Sequence, residues 1–422
     1  TEVGPRLAGT EAEERARQWA VGKLRALGFS NVRVEPFELP VWERGVEWAQ
    51  ISSPYPQPLV VSALGGSTAT GADGVEGEVA AFASVKALRA APAENLNGKI
   101  VFIDEVMTRT QDGSGYGVAA AKRREAAYVA EEKGAAAVLI RSVGTSQHRF
   151  AHTGQMRRLT EAGDSSGVPA AALSAPDADQ LQRILASHGS VTLRMVLTPE
   201  QRPAGRSGNV IAEVPGAEAA DEIVLVGAHL DSWDLGTGAV DDGAGVGIVV
   251  AAAKQVMDAL PKGPRRTIRV VLFGAEEVGL VGAQAYASAH AQELDKHVVA
   301  SESDFGAGRI WRFETGVAED RIAAAQSLGT VIRAMGAATG GNSARGGPDM
   351  KYIREAGVPV VGLKQNGWDY FDLHHTPDDT LDKIDPDKLA QNVAAYAASI
   401  WLAAELDVDF RLPPKPEAEV SP

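Results

Sequence analysis

The segment EIVLVGAHLDSWDLGTGAVDDGAGVGIVVAAAKQVMDAL, residues 222–260, decides the fold. Its first six residues, Glu222 to Gly227, are a short apolar run of the kind that forms a strand buried on both faces. Ala244 to Leu260 is long and apolar enough for a helix packed on that strand. Between them stand His229, Asp231 and the pair Asp241 and Asp242, the pair in a glycine-rich turn.

The same rhythm continues outward. Thr267 to Phe273 reads as a strand, then come Glu276 and Glu277, then a helix from Val278 to His290. Val298 to Ser301 is a strand with Asp304 just beyond it. Arg321 to Met335 reads as a helix, Lys351 to Ala356 as a short one and Val358 to Leu363 as a strand, with His375 in the loop that follows. Strands alternating with helices predict an α/β fold with a mostly parallel central sheet flanked by helices. Upstream, residues 11–27 read as a helix. Thr10 is its N-cap, Gly28 lies past its end, and Ala16, Trp19, Ala20, Leu24 and Leu27 share one face. Asn31 to Leu39 alternates like a strand.

From residue 46 to 200 the texture changes. Short β-like runs (Pro58 to Ala63, Gly77 to Phe82, Lys99 to Ile103) surround a helix, Val118 to Lys133, which leads into the apolar run Ala135 to Ile140. We read residues 46–200 as an inserted α+β domain, 1–45 and 201–410 as the two parts of the main domain, and 411–422, proline-rich, as a loose tail.

Composition excludes several function classes. A net charge of −14 speaks against nucleic acid and against an anionic membrane surface, both of which select basic faces. The chain has no cysteine, so disulfides, thiolate metal sites and a cysteine nucleophile are ruled out. No apolar run approaches the ~20 residues of a membrane span. A dinucleotide loop is imitated by Asp242-Gly243-Ala244-Gly245-Val246-Gly247, but its glycine spacing is wrong. No Gly-x-Ser-x-Gly elbow is present.

Five residues form a candidate metal set: His229, Asp241, Glu277, Asp304 and His375. Each alone has an ordinary structural explanation, such as a helix N-cap for Asp241 or a solvated strand end for Glu277. Together, four follow predicted strands and the fifth precedes a helix, at the rim where open α/β sheets place their sites. Imidazoles and carboxylates suit zinc, and a two-metal centre needs a carboxylate that can bridge. His229 and Asp231, two apart in an extended segment, point the same way. Asp231 is therefore expected to accept from the ring nitrogen facing away from the metal. Of Glu276 and Glu277, one can bind metal while the other stays free as a base.

In this order the motifs His-x-Asp, Asp-Asp-Gly, Glu-Glu, Asp and His before Thr resemble the dizinc exopeptidase family of bacterial aminopeptidases and carboxypeptidase Q, and the carboxypeptidase Q branch above all. Gly4-Pro5-Arg6-Leu7-Ala8-Gly9 and Pro40-Val41-Trp42-Glu43-Arg44-Gly45 are similar to the family's start, and residues 46–200 to its protease-associated insert. The resemblance implies a zinc exopeptidase fold and two Zn²⁺. His229 and Asp304 would hold one ion and Glu277 and His375 the other, with Asp241 bridging. It implies Glu276 as general base and a cis peptide at Asp241–Asp242. His374 stands where several relatives carry a tyrosine, so it becomes the candidate oxyanion donor. The resemblance further implies a periplasmic or extracellular enzyme, its signal peptide not present in this chain, and a homodimer.

The expected substrate is a short peptide, a dipeptide foremost. Asn342, Ser343 and Arg345 are candidates for a substrate terminus, with Arg345 pairing a carboxylate. Trp233, Trp368, Tyr370 and Phe371 are candidates for a side-chain pocket, and His152 for a contact from the insert. The alternatives are an aminopeptidase on longer peptides, a non-catalytic binding protein on the same scaffold, and a one-zinc acyltransferase of the glutaminyl cyclase type.

Overall fold

In the computed structural model, residues 1–411 are described except 162 and 164, so the tail beyond Arg411 lies outside the described residues. Two eight-stranded mixed sheets organise the chain. In the first, four strands run parallel at the centre: Arg266–Phe273, Ala219–His229, His297–Glu302 and Val360–Gln365. All residues of Arg266–Phe273 are buried, as a central strand with covered faces requires. Antiparallel strands flank this core, Glu200–Val214 and Ser30–Glu43 on one side and Ile310–Gly316 on the other. The architecture is a mixed α/β fold with a parallel centre.

The Ala244–Ala259 helix covers one face and is itself packed by Pro386–Glu405. That last helix has no counterpart in the sequence reading. It starts on Asp385, which accepts from the backbone of Asp387 (2.9 Å) and Lys388 (3.3 Å), with Pro386 in the first turn. Its C-terminal end is tied down by Arg266, fully buried, which donates to the carbonyls of Ala403, Leu406 and Val408 and pairs with Glu222 at 2.6 Å.

Residues 47–197 build the second sheet, which includes Val75–Phe82, Ile100–Ile103, Ala137–Arg141 and Ala170–Leu173 in parallel succession. Helices Ser114–Glu132 and Ala175–His188 belong to this unit. The connection is a two-stranded ribbon. Ser30–Glu43 leaves the first sheet and Glu200–Val214 returns, paired from Ser30↔Glu213 to Glu43↔Glu200. At Gly9 and Gly205 a β-carbon would run into the Val41 side chain, so both glycines let the ribbon sit against the N-terminal segment.

Four local readings need correction. The expected helix Arg321 to Met335 is two helices, Ile322–Ser327 and Thr330–Ala334. The break is at Gly329, where the Phe313 ring lies 2.6 Å from the place of a β-carbon. The expected strand Pro58 to Ala63 is split into Gln57–Leu59 and Val61–Ala63, on opposite edges of the sheet. At the break the Val60 N–H donates to Asp177 (2.7 Å) instead of a ladder. The helix expected from Val278 begins at Val281, because Glu276 to Leu280 form a tight turn with Leu280 at φ +63°. Trp19, expected on the packed face of its helix, is 52% exposed. The buried pair Glu13–Arg17 (2.8 Å) occupies that face instead, against Ser207 of the ribbon.

Candidate metal centre

The ends of the parallel strands converge. His229 is the last residue of its strand, Glu276 and Glu277 follow Phe273, Asp304 follows Glu302, and His375 follows the short helix Tyr370–Leu373. Asp241 stands between them. Its Oδ1 is 3.1 Å from His229 Nε2, and its Oδ2 is 3.3 Å from His375 Nε2. Asp304 Oδ1 lies 3.5 Å from His229 Nε2, and Glu277 Oε2 lies 2.9 Å from His375 Nε2. Two half-sites thus share one carboxylate. All five candidate ligands are brought together, four of them buried and Asp304 partly so.

The Asp241–Asp242 peptide is cis. Asp242 is turned to structural work, accepting from His229 N (3.2 Å) and Gly245 N (3.0 Å). A β-carbon at Gly245 would collide with that carboxylate and with the Ser303 carbonyl. Asp241 is held from behind by Asp379, which accepts from Val240 N (2.5 Å) and Asp241 N (3.2 Å). Arg6 closes the same loops, donating to the carbonyls of Leu230 (2.6 Å), Thr237 (2.7 Å) and Gly238 (2.9 Å).

The expected role of Asp231 is only half met. The outward nitrogen of His229 bonds to the Asp231 backbone carbonyl (3.0 Å), while the carboxylate stands off at 3.6 Å. That carboxylate is committed elsewhere. It accepts from the backbone N–H of Glu276 (3.0 Å) and Glu277 (3.2 Å), and so fixes the turn that presents both glutamates.

The electrostatics fit cations. Among the described residues no lysine or arginine pairs with Asp241, Glu277 or Asp304, and Asp241 Oδ2 and Glu277 Oε1 are buried without a hydrogen-bond donor. Burial and the Asp241 charge push the Glu277 carboxyl up to about 7. Burial opposes charge on His229, yet the carboxylates of Asp304, Asp231 and Asp241 hold it well above the usual histidine range. Buried carboxylates crowded in this way call for positive charge among them. Two N/O-ligated divalent ions meet that demand, and the donor set is the one zinc prefers when no thiolate is available.

A cavity of about 600 Å³ opens beside the ligands, in the range of small-molecule sites. Glu276, His374, Tyr370, Phe371 and Arg345 line it. So do Tyr116, Arg123, Gln155 and Met156, hence the insert forms part of the wall. Burial keeps His374 well below the usual histidine range, a neutral ring that can donate. It stacks on His375 with centroids 3.5 Å apart and meets the Tyr116 ring edge-on. Six cationic residues line the cavity without an acidic partner among the described residues: Arg123, Arg124, Arg158, Arg345, Lys351 and Arg354.

Other candidates fall away from the cavity. Asn342 is spent on its own loop, bonding Thr315 Oγ1 (2.8 Å) and both backbone groups of Val317. Ser343 is exposed, and Trp368 is 53% exposed; neither lines the cavity. Trp233 is buried behind His375, edge-on to Trp42. His152 is buried with its Nε2 3.3 Å from Ser146 Oγ, behind the cavity rather than in it. Sequence reading missed Asp379, Thr153 and the role of Arg6. Arg6 lies inside the Gly4 to Gly9 motif and Asp379 four residues past His375, which is the signal that could have found them. Thr153 acts through its backbone and carries none.

Residues 209–400 match the pattern of peptidase family M28. The chain is also 32% identical to carboxypeptidase Q of Homo sapiens over 407 residues, 96% of this chain and 83% of that one. The chain belongs to peptidase family M28. Within M28, a crystal structure of a peptidase precursor from Shewanella amazonensis is 52% identical and superposes with a TM-score of 0.94, covering 98% of this chain and 93% of that one. A zinc aminopeptidase from Bacillus subtilis, 23% identical, shares the fold with a TM-score of 0.66 over 96% of this chain and 92% of that one. The protein is therefore a metallopeptidase of M28.

Proposed function

We propose that this M28 peptidase is a two-zinc exopeptidase of short peptides, dipeptides foremost, acting at the carboxyl end. One observation carries the reading. Asp241 stands between His229 with Asp304 and Glu277 with His375, and the free carboxyl of Glu276 is on the cavity wall beside them.

His229, Asp304 and Asp241 would hold one zinc, and Glu277, His375 and Asp241 the other. When bound, such a pair polarises the scissile carbonyl and acidifies the attacking water. The residues of the chain do the rest. Glu276, its backbone fixed by Asp231, has no side-chain hydrogen bond among the described residues and is free to take the water's proton. Burial and the neighbouring carboxylates of Asp304 and Glu277 push its pKa well up, which suits a base that must later return the proton to the leaving amine. Neutral His374 donates to the oxygen that gains charge. The unpaired cations of the cavity supply the counter-charge for a peptide carboxylate, and this supports the carboxyl-end reading over the aminopeptidase one. A homodimer outside the cytoplasm, with no nucleic-acid or membrane partner, completes the reading; it is supported by family resemblance and by the acidic charge. Among the described residues no helix is long and apolar enough to cross a membrane.

The test is a dipeptide panel, free, amino-blocked and carboxyl-amidated, assayed before and after chelation. Free dipeptides should be cleaved, amidated ones poorly, and zinc should restore the chelated enzyme. Activity indifferent to chelation, or absent on every dipeptide, would overturn the proposal.

A further inference from the structure

The ring of His375 is oriented by the insert. Its Nδ1 donates to the Thr153 carbonyl (3.2 Å), and its own carbonyl accepts from Thr153 N–H (3.1 Å). His375 has φ +60°, a left-handed conformation that a histidine keeps only where its surroundings hold it. Thr153 is in turn held by its hydroxyl, which donates to Ala63 O (2.9 Å) and accepts from Arg44 Nη2 (2.9 Å).

Arg44 lies where the ribbon enters the insert, with its side chain 11% exposed. It grips Asp234, five residues past His229, through two bonds of 2.7 and 2.9 Å. It also reaches Glu47 (2.8 Å), Ser62 Oγ (2.9 Å) and the Ala63 carbonyl (2.7 Å). A bidentate arginine–carboxylate pair fixes geometry as well as charge. One guanidinium thus ties the His229 loop, the junction of the ribbon and the insert segment that steers His375. At the opposite half-site Arg44 reaches only the loop, through Asp234, and not the ligand ring itself. His229 is oriented by Asp231 and Asp242, both of the main domain.

We propose that Arg44 and Thr153 are positioning residues for one of the two metal ions, the one at His375 and Glu277, so that docking of the insert sets the affinity of that half-site alone. The inference rests on the two-zinc reading. Outer partners of a metal-binding histidine typically govern 10–100-fold in affinity.

The experiment is zinc titration of the metal-free full chain against a chromophoric chelator, with circular dichroism as a check on fold. The wild type should take two equivalents. Thr153→Val keeps the shape and removes the hydroxyl, so it should weaken one equivalent roughly 10–100-fold and leave the other unchanged. Thr153→Ser should restore it, and Arg44→Lys should repeat the loss if the valine variant folds poorly. Two equivalents of wild-type affinity in both Thr153→Val and Arg44→Lys would overturn the inference, as would equal weakening of both ions. Fewer than two equivalents in the wild type would instead sink the two-zinc reading and take this inference with it.

Discussion

Glu276 and Glu277 are adjacent on one turn and differ in surroundings. Glu277 faces His375, whereas Glu276 faces the cavity. Glu276→Gln should retain both metals and lose on the order of 10²–10⁴ in kcat, as loss of a positioned base does. Metal analysis beside steady-state kinetics checks it, and near-normal turnover would remove Glu276 from the role. Away from the site, His297 is buried and neutral. Its Nδ1 donates to Glu293 O (3.0 Å), and Tyr286 OH, which accepts from Arg269 (3.0 Å), donates to its Nε2 (2.9 Å). Burial holds its pKa down at about 4. The unfolded chain therefore takes this proton first. The stability His297 contributes is present above about pH 6.5 and is lost as the pH falls towards 4, by about 3 kcal/mol at most. Urea unfolding at pH 7 and 5 should show about 2 kcal/mol of that loss, and His297→Gln should flatten it. The five ligand positions were legible because each sits in a recognisable motif, four after predicted strands and Asp241 before a helix. Asp231 was legible as a partner but not in its bond, since an extended pair shows direction without showing which oxygen is nearer. Thr153 was illegible, because a backbone carbonyl looks the same in every residue.

Among the elements, the parallel strands were readable from apolar runs that need no alternation. The antiparallel strands Glu47–Ser53 and Glu200–Val214 were not. They mix polar and apolar residues, and each pairs with a segment far along the chain. The final helix carried its signal in Asp385-Pro386 and in the three- and four-residue spacing of Leu389, Val393, Tyr396 and Ile400. Breaks made by tertiary contact, such as Gly329 under the Phe313 ring, leave no local trace. The ribbon offers a test at this scale. Gly205→Ala would press on Val41 and should cost about 1–3 kcal/mol, the usual range for overpacking. Chemical denaturation measures it, and an unchanged midpoint would show that the ribbon has slack.

At the scale of the whole molecule, residues from position 6 to position 379 meet at one centre, and the chain between them makes two sheets. Metal ions bridging these segments would bind the folded chain and stabilise it by mass action. Chelation should therefore lower Tm by roughly 5 °C or more, with recovery on adding zinc. Calorimetry with and without chelator checks this, and an unmoved Tm would mean that the ions contribute little to holding the segments together.

The unpaired arginines and lysine on the cavity wall sit in a body of net charge −14. At a distance an anionic peptide meets repulsion, and only within the mouth does it meet attraction. Salt screens the first over about 8 Å at physiological ionic strength and touches the enclosed contacts far less. Raising the ionic strength from very low values should then speed the capture of acidic peptides, a dependence opposite to that of an enzyme steered by its overall field.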